Sequence, residues 1–266
     1  MFRFRTLLMT AILLLMYLAT ACNSESSPTT TAISPAESAT ESSSNQPSPG
    51  AASNEEMEME VNAVGEAPSQ KFEDFDPNNF DNPTNIDNEW FPLQPGTKWV
   101  FEGYTEEAGL TIPHRLIFIV TDLTKEIEGV RTIVAWVEDY SDEELVEGEL
   151  AFYAQDNDGN VWFFGEYPEV YENGEFVEAP AWIAGFKGAR PGISMKAEPQ
   201  GSTPSYSQGW GPAVNWTDYA QVDQVGVETC VPVDCYQDVL VTAESSLEEV
   251  DAFQLKYYAR NVGNVR

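Results

Sequence analysis

The 266-residue sequence has one histidine, three cysteines, and only 13 Lys and Arg against 44 Asp and Glu. Each shortage excludes something. A Ser-His-Asp triad would have to use His114, which lies between Pro113 and Arg115 at a strand entrance. No nucleophile elbow accompanies it, because Gly192-Ile193-Ser194-Met195-Lys196 lacks the second Gly that such a turn needs. His114 therefore reads as a surface or rim residue. Ser194 and Lys196 share a face only if that segment is extended, and in a loop their spacing does not select a Ser-Lys pair. The lack of Cys and His argues against zinc. A formal charge of −31 leaves too few cations to neutralise phosphates, which argues against a nucleic-acid partner. It argues equally against an electrostatic grip on anionic lipid. After the first 21 residues there is no long apolar run, and no amphipathic pattern of about a dozen residues suggests a long helix.

What is present begins at the N-terminus. Arg3 and Arg5 precede an almost wholly apolar stretch, Leu7 to Tyr17, and then Ala19-Thr20-Ala21-Cys22. This is the layout of an export signal over residues 1–21. The small residues before Cys22 resemble the lipobox of bacterial lipoproteins, with Ala19 where that family usually has Leu. The resemblance implies cleavage before Cys22 and lipid on its sulfur and new amino group. The domain is then expected outside the cytoplasm, anchored to the cell membrane or outer membrane. Residues 22–71 are rich in Ser, Thr, Pro and Glu and nearly free of large apolar side chains. Such a stretch cannot bury enough surface to offset its ordering entropy. It reads as a disordered tether with a typical reach of about 35–40 Å.

Residues 72–266 read as one β-rich domain, since this length supports one sizeable core. Arg115 to Thr121 and Thr132 to Val137 carry apolar residues on both faces, as central strands should. Leu150–Ala154 and Val161–Phe164 flank Asp156-Asn157-Asp158-Gly159-Asn160, and Asn173-Gly174 lies between two further apolar runs. Both are hairpin signals, because Gly adopts the positive φ the turn requires. Tyr236–Thr242 and Phe253–Tyr258 add two closing strands. The expected fold is mainly β: one strongly curved antiparallel sheet, a half-barrel or sandwich. At most short helices are expected, near 215–222 and 245–250.

Several stretches also resemble a group of uncharacterised exported bacterial proteins. They are Phe91-Pro92-Leu93-Gln94-Pro95-Gly96-Thr97-Lys98-Trp99-Val100, Tyr153-Ala154-Gln155-Asp156 with Gly159 to Glu166, Gly188 to Met195, and Tyr257-Tyr258-Ala259 with Val262-Gly263. The resemblance implies a fold unit and an envelope location, and no activity.

Three site readings remain. Cys230 and Cys235 read as a disulfide closing a small loop in an exported protein. Asp156, Asp158 and Asn160 have the alternate spacing of a calcium loop's first ligands. Gly159 comes one place early and Tyr167 stands where a bidentate Glu belongs, so a plain hairpin turn competes with calcium. Asp74 to Asn82 is similarly acidic. Trp182, Trp210 and Trp216 lie in Pro/Gly-rich loops, where they either line a ligand groove or cap the core. Two function classes follow. One is a non-enzymatic lipoprotein domain that binds a small ligand or an envelope protein. The other is an envelope hydrolase using carboxylates, with or without calcium.

Overall fold

The structure, a computed structural model, describes residues 71–107, 109–247 and 253–266. The expected signal segment, Cys22 and the tether up to residue 70 lie outside the described residues. The strands in chain order begin with β1 (Lys98–Glu107), β2 (Leu110–Ile127), β3 (Val130–Ser141), β4 (Glu144–Gln155) and β5 (Val161–Glu172). Shorter ones follow: β6 (Glu175–Glu178), β7 (Trp182–Ile183), β8 (Arg190–Met195), β9 (Tyr206–Ser207) and β10 (Gly209–Trp210). The chain closes with β11 (Asp218–Val231), β12 (Asp234–Ser246), β13 (Phe253–Ala259) and β14 (Gly263–Asn264).

The expected curved antiparallel architecture is what the chain adopts, built as two half-barrel sheets. The larger runs β1-β2-β3-β4-β5-β8-β10, with β6 and β7 also paired to β5. The smaller runs β14-β13-β12-β11-β9. Curvature has an identifiable source. Register slips interrupt β2/β3 after Val120, β4/β5 after Ala151, and β11/β12 at three places. Such irregularities bend a strand and raise its twist. The hairpin expectations hold. Asn173 and Gly174 both take positive φ, 52° and 76°, between β5 and β6, as a tight two-residue turn demands.

The expected helix near 215–222 is not formed. Asn215 takes φ 56° in a tight turn, and from Asp218 the chain runs as β11. The strand wins because Tyr219, Ala220 and Val222 find partners on β12 and β9, a long-range pairing with no local signal. Ser245 and Ser246 end β12, Leu247 follows in a bend with its amide donating to the Thr217 carbonyl, and residues 248–250 lie outside the described residues. Among the described residues the helical element is one short 3-10 turn, Pro77–Asn79.

Two apolar clusters explain the strands with both faces apolar. Ala151, Tyr153, Val161 and Phe163 point into the cluster between the sheets. Their neighbours Phe152, Ala154, Trp162 and Phe164 point the other way. This second face is covered by Phe75 and Phe80, whose rings lie 5.6–6.0 Å from those of Trp162 and Phe164. The segment before β1 is thus part of the domain. Buried Asn88 fastens it: its side-chain oxygen accepts from the Trp90 and Phe91 amides, and its Nδ2 donates to the Gly159 carbonyl.

Candidate functional site

Strand parity decides what faces the space between the sheets. On β1, Trp99 and Phe101 point inward while Val100 and Tyr104 are exposed. The inward row continues across the larger sheet by register. Trp99 pairs with Phe118, Phe118 with Val137, Val137 with Glu149, and Glu149 with Pro168. One row over, Leu116 pairs with Asp139 and Asp139 with Glu147. On the other side, Ala151 pairs with Glu166. The inner face of this sheet therefore carries four carboxylates among aromatic and aliphatic side chains. The smaller sheet contributes Asp218, Glu244, Lys256 and Tyr258 to the same space.

These residues line a cavity of about 480 Å³. That is within the roughly 300–1,000 Å³ of small-molecule sites. Its walls hold a continuous aromatic chain. Trp99 meets Phe118 edge-on at 5.6 Å, Phe118 meets Tyr153 at 6.1 Å, Tyr153 stacks on Phe163 at 5.0 Å, and Phe163 meets Trp216 at 5.7 Å. Phe91 joins it through Tyr153 and Tyr258 at 5.8 and 5.9 Å.

The carboxylates are unevenly neutralised. Glu244, only 3% exposed, receives Lys256 Nζ at 2.6 Å. Asp139 Oδ1 lies 2.9 Å from His114 Nε2, and both side chains are 11% exposed. His114 is thus a largely buried partner of a cavity acid, not a surface residue. Glu166 accepts from Trp182 Nε1 at 3.2 Å. Among the described residues no protein donor is hydrogen-bonded to Glu147 or Glu149. Burial, and then the Asp139 charge, push the Glu147 carboxyl up to about 7. Burial pushes Glu149 up to about 8; the neighbouring Glu147 and Asp139 charges add to this and Lys256 opposes it. Glu166 rises well above the ordinary carboxylate range through burial and the Glu149, Glu147 and Asp218 charges. Glu149 lies deep in the protein yet keeps accessible surface, because it borders the cavity instead of packed atoms. The cavity can therefore hold or release protons near neutral pH and present several negative charges beside aromatic faces.

The residues singled out from sequence are placed as follows. Trp216 lines the cavity. Trp182 stands one layer behind it, 2% exposed and 4.6 Å from the Trp216 ring. Trp210 lies elsewhere, stacked on Phe72 at 5.0 Å. Asp156 is committed to its turn. Its Oδ1 accepts from the amides of Asp158 and Asn160, and its Oδ2 from Asn160 Nδ2 and buried Trp162 Nε1. Asp158 accepts from Asn79 Nδ2, and Asn160 Oδ1 accepts from the Ala197 amide. The three candidate calcium ligands thus serve a hairpin. In the other acidic stretch, Asp76 caps the 3-10 turn by accepting from Asn78. Among the described residues no group of three or more His, Cys, Asp or Glu could hold a metal ion. Ser194 lines the cavity, whereas Lys196 pairs with Glu73 at 3.0 Å, so the two do not act together. Cys230 and Cys235 form a disulfide across a hairpin pair between β11 and β12.

Sequence reasoning missed Asp139, Glu147, Glu149 and Glu166. One signal was available: Glu147 and Glu149 share parity with inward Ala151 and Tyr153 along one strand. Comparison of the chain with protein-family models, with curated proteins and with solved structures found no match.

Proposed function

We propose that this chain is a lipid-anchored envelope protein whose β domain binds a small molecule between its two sheets without transforming it. The observation that carries this reading is the cavity itself, about 480 Å³ and walled by a continuous chain of aromatic rings. Aromatic walls supply contact area at low entropic cost, and a few polar groups fix orientation. Trp99 and Trp216 border the space, so ligand entry should change intrinsic fluorescence. A small-molecule library screened by fluorescence and thermal shift tests the reading. Saturable ligands whose effect is lost in Trp216→Ala support it; a library without any saturable binder refutes it.

The anchor rests on the sequence around Cys22. Cys22→Ser should abolish lipid labelling and release the domain from membranes. A variant that stays with membranes after a high-salt wash would show the anchor to be elsewhere.

A second reading, a hydrolase using carboxylates, is favoured by one observation. Glu147 and Glu149 stand two residues apart on β4, and both hold protons near neutral pH. An acid kept protonated beside other carboxylates is the arrangement general acid catalysis uses. Turnover of aryl glycosides or esters by the purified domain, abolished in Glu149→Gln, would establish it.

A further inference from the structure

We infer that the cavity takes an organic cation, a molecule with an apolar or aromatic body and at least one protonated amine, held between the aromatic walls by Glu147, Glu149 and Glu166. This rests on the small-molecule reading of the cavity and adds the chemical class of its ligand.

The argument starts from a conflict in the sheet. Asp139 and Glu147 are directly paired across β3 and β4 on the inner face. Like charges placed opposite one another destabilise a sheet. Glu149 follows two residues on, and Glu166 sits across from Ala151. Apolar side chains here would extend the core and stabilise the fold. Among the described residues that line the cavity the one basic side chain, Lys256, only partly offsets burial and the acid charges at Glu149. Lys256 is committed to Glu244 at 2.6 Å, and His114 to Asp139 at 2.9 Å. Glu147 and Glu149 have no hydrogen-bond donor among the described residues. Carboxylates this close must be neutralised by protons or by a cation from outside.

The surroundings say which kind of cation. A divalent metal needs several oxygens converging on one point. The described carboxylates do not converge in this way. They lie spread along adjacent strands, with Trp99, Phe118, Tyr153 and Phe163 between and beside them. Aromatic faces attract organic cations by about 0.5–2 kcal/mol per contact, more when desolvated. An extended acidic row beside stacked rings suits a molecule that carries its amine on an apolar frame.

Binding must then depend on pH. The groups that face Glu147 and Glu149 are Asp139 on β3, Tyr153 on β4, Glu166 on β5, Asp218 on β11, Glu244 on β12, and Lys256 and Tyr258 on β13, with His114 on β2 behind Asp139. An incoming ammonium takes over the neutralising role of the protons, so binding releases protons near neutral pH and tightens as pH rises towards about 8.5.

The test uses three matched probes on the purified full-length mature protein: naphthylethylamine, naphthylethanol and naphthylacetate. At about pH 8.5 the amine should bind at least about tenfold tighter than the alcohol, and the acetate should not bind. At about pH 6 the preference should shrink, and calorimetry at about pH 7 in buffers of different ionisation heat should show proton release on amine binding. Glu149→Gln should weaken the amine about tenfold and leave the alcohol unchanged, its melting curve confirming the fold. Glu147→Gln serves the same purpose if that variant does not fold. Equal binding of alcohol and amine overturns the cation and leaves the cavity reading standing. No binding of any probe, with no hit in the wider library, overturns both. Calcium that displaces the amine stoichiometrically assigns the site to an inorganic cation and overturns the organic one.

Discussion

Glu149→Gln should stabilise the protein at alkaline pH and do little at acid pH. Gln has the shape of a protonated Glu and never ionises. Moving a carboxyl from 4.5 to about 8 corresponds to about 5 kcal/mol against the ionised form, at about 1.4 kcal/mol per pH unit. Water in the cavity and relaxation of the strands screen much of this, leaving an expected effect of about 2 kcal/mol. The sign follows from proton binding. The folded protein keeps the Glu149 proton to higher pH than the unfolded chain does, so it binds more protons between about pH 4.5 and 8. The wild-type stability contribution is complete below that window and is lost as pH rises through it. At about pH 8.5 the variant should therefore melt about 4–8 °C above the wild type, and at about pH 5 within about 1 °C of it. Differential scanning calorimetry at the two pH values measures both. Equal melting shifts at the two pH values, or a variant less stable than wild type at alkaline pH, would refute the reasoning that Glu149 ionises against its surroundings.

Two further outcomes follow from contacts outside the cavity. Asp156→Ala removes the acceptor of four N–H groups, one of them the buried Trp162 indole. It should cost about 3 kcal/mol in urea unfolding, with Asp156→Asn intermediate because it keeps one oxygen. A loss below about 1 kcal/mol would mean the turn does not depend on that carboxylate. Reduction of Cys230–Cys235 opens a ring at a hairpin tip where Val233 is 85% exposed. A loop this short constrains the unfolded chain weakly, so melting should fall by only a few degrees and the domain should stay folded. Unfolding on reduction would show that the tip carries far more of the fold than its exposure allows.

The legible parts of the fold were those with local signals. Thr132–Val137 could be read as a central strand because apolar side chains occupy both faces, and both faces do meet a core. Asp-Gly and Asn-Gly marked hairpins because their φ requirement is local. β11 was hidden. Its polar, evenly mixed sequence owes its extension to pairing with β12 and with β9, and tight-turn chemistry at Asn215 precedes it. The division into two sheets was hidden for the same reason, since it depends on which distant strands pair. The tryptophans show the limit most clearly. Trp182 and Trp216 are alike in sequence context, yet one seals the core against Gly209 and Gly211 while the other borders the cavity. The acidic row stayed hidden because Glu147 and Glu149 look like a solvated strand end until β4 is extended to Glu144, three residues before the acids.

Charge acts on this protein at two scales, and both act in one direction. The surface follows the composition, 44 acids against 13 bases, and a field of that sign raises the local concentration of cations. The interior departs from what stability alone would select. Local conflicts of this kind concentrate at functional sites, where the rest of the fold offsets them. Here the conflict is confined to the inner face of β3, β4 and β5, the face that borders the cavity. On the opposite face of the same strands Val134, Phe152, Ala154, Trp162 and Phe164 form an apolar cluster, and the acids that adjoin that face are met by donors: half-buried Glu138 accepts from Trp136 Nε1 and the Tyr140 hydroxyl, and buried Asp156 accepts from Trp162 Nε1 and its own turn. Glu147 and Glu149, which have no such donor among the described residues, stand on the one face that encloses space, and that ties their charges to what enters it.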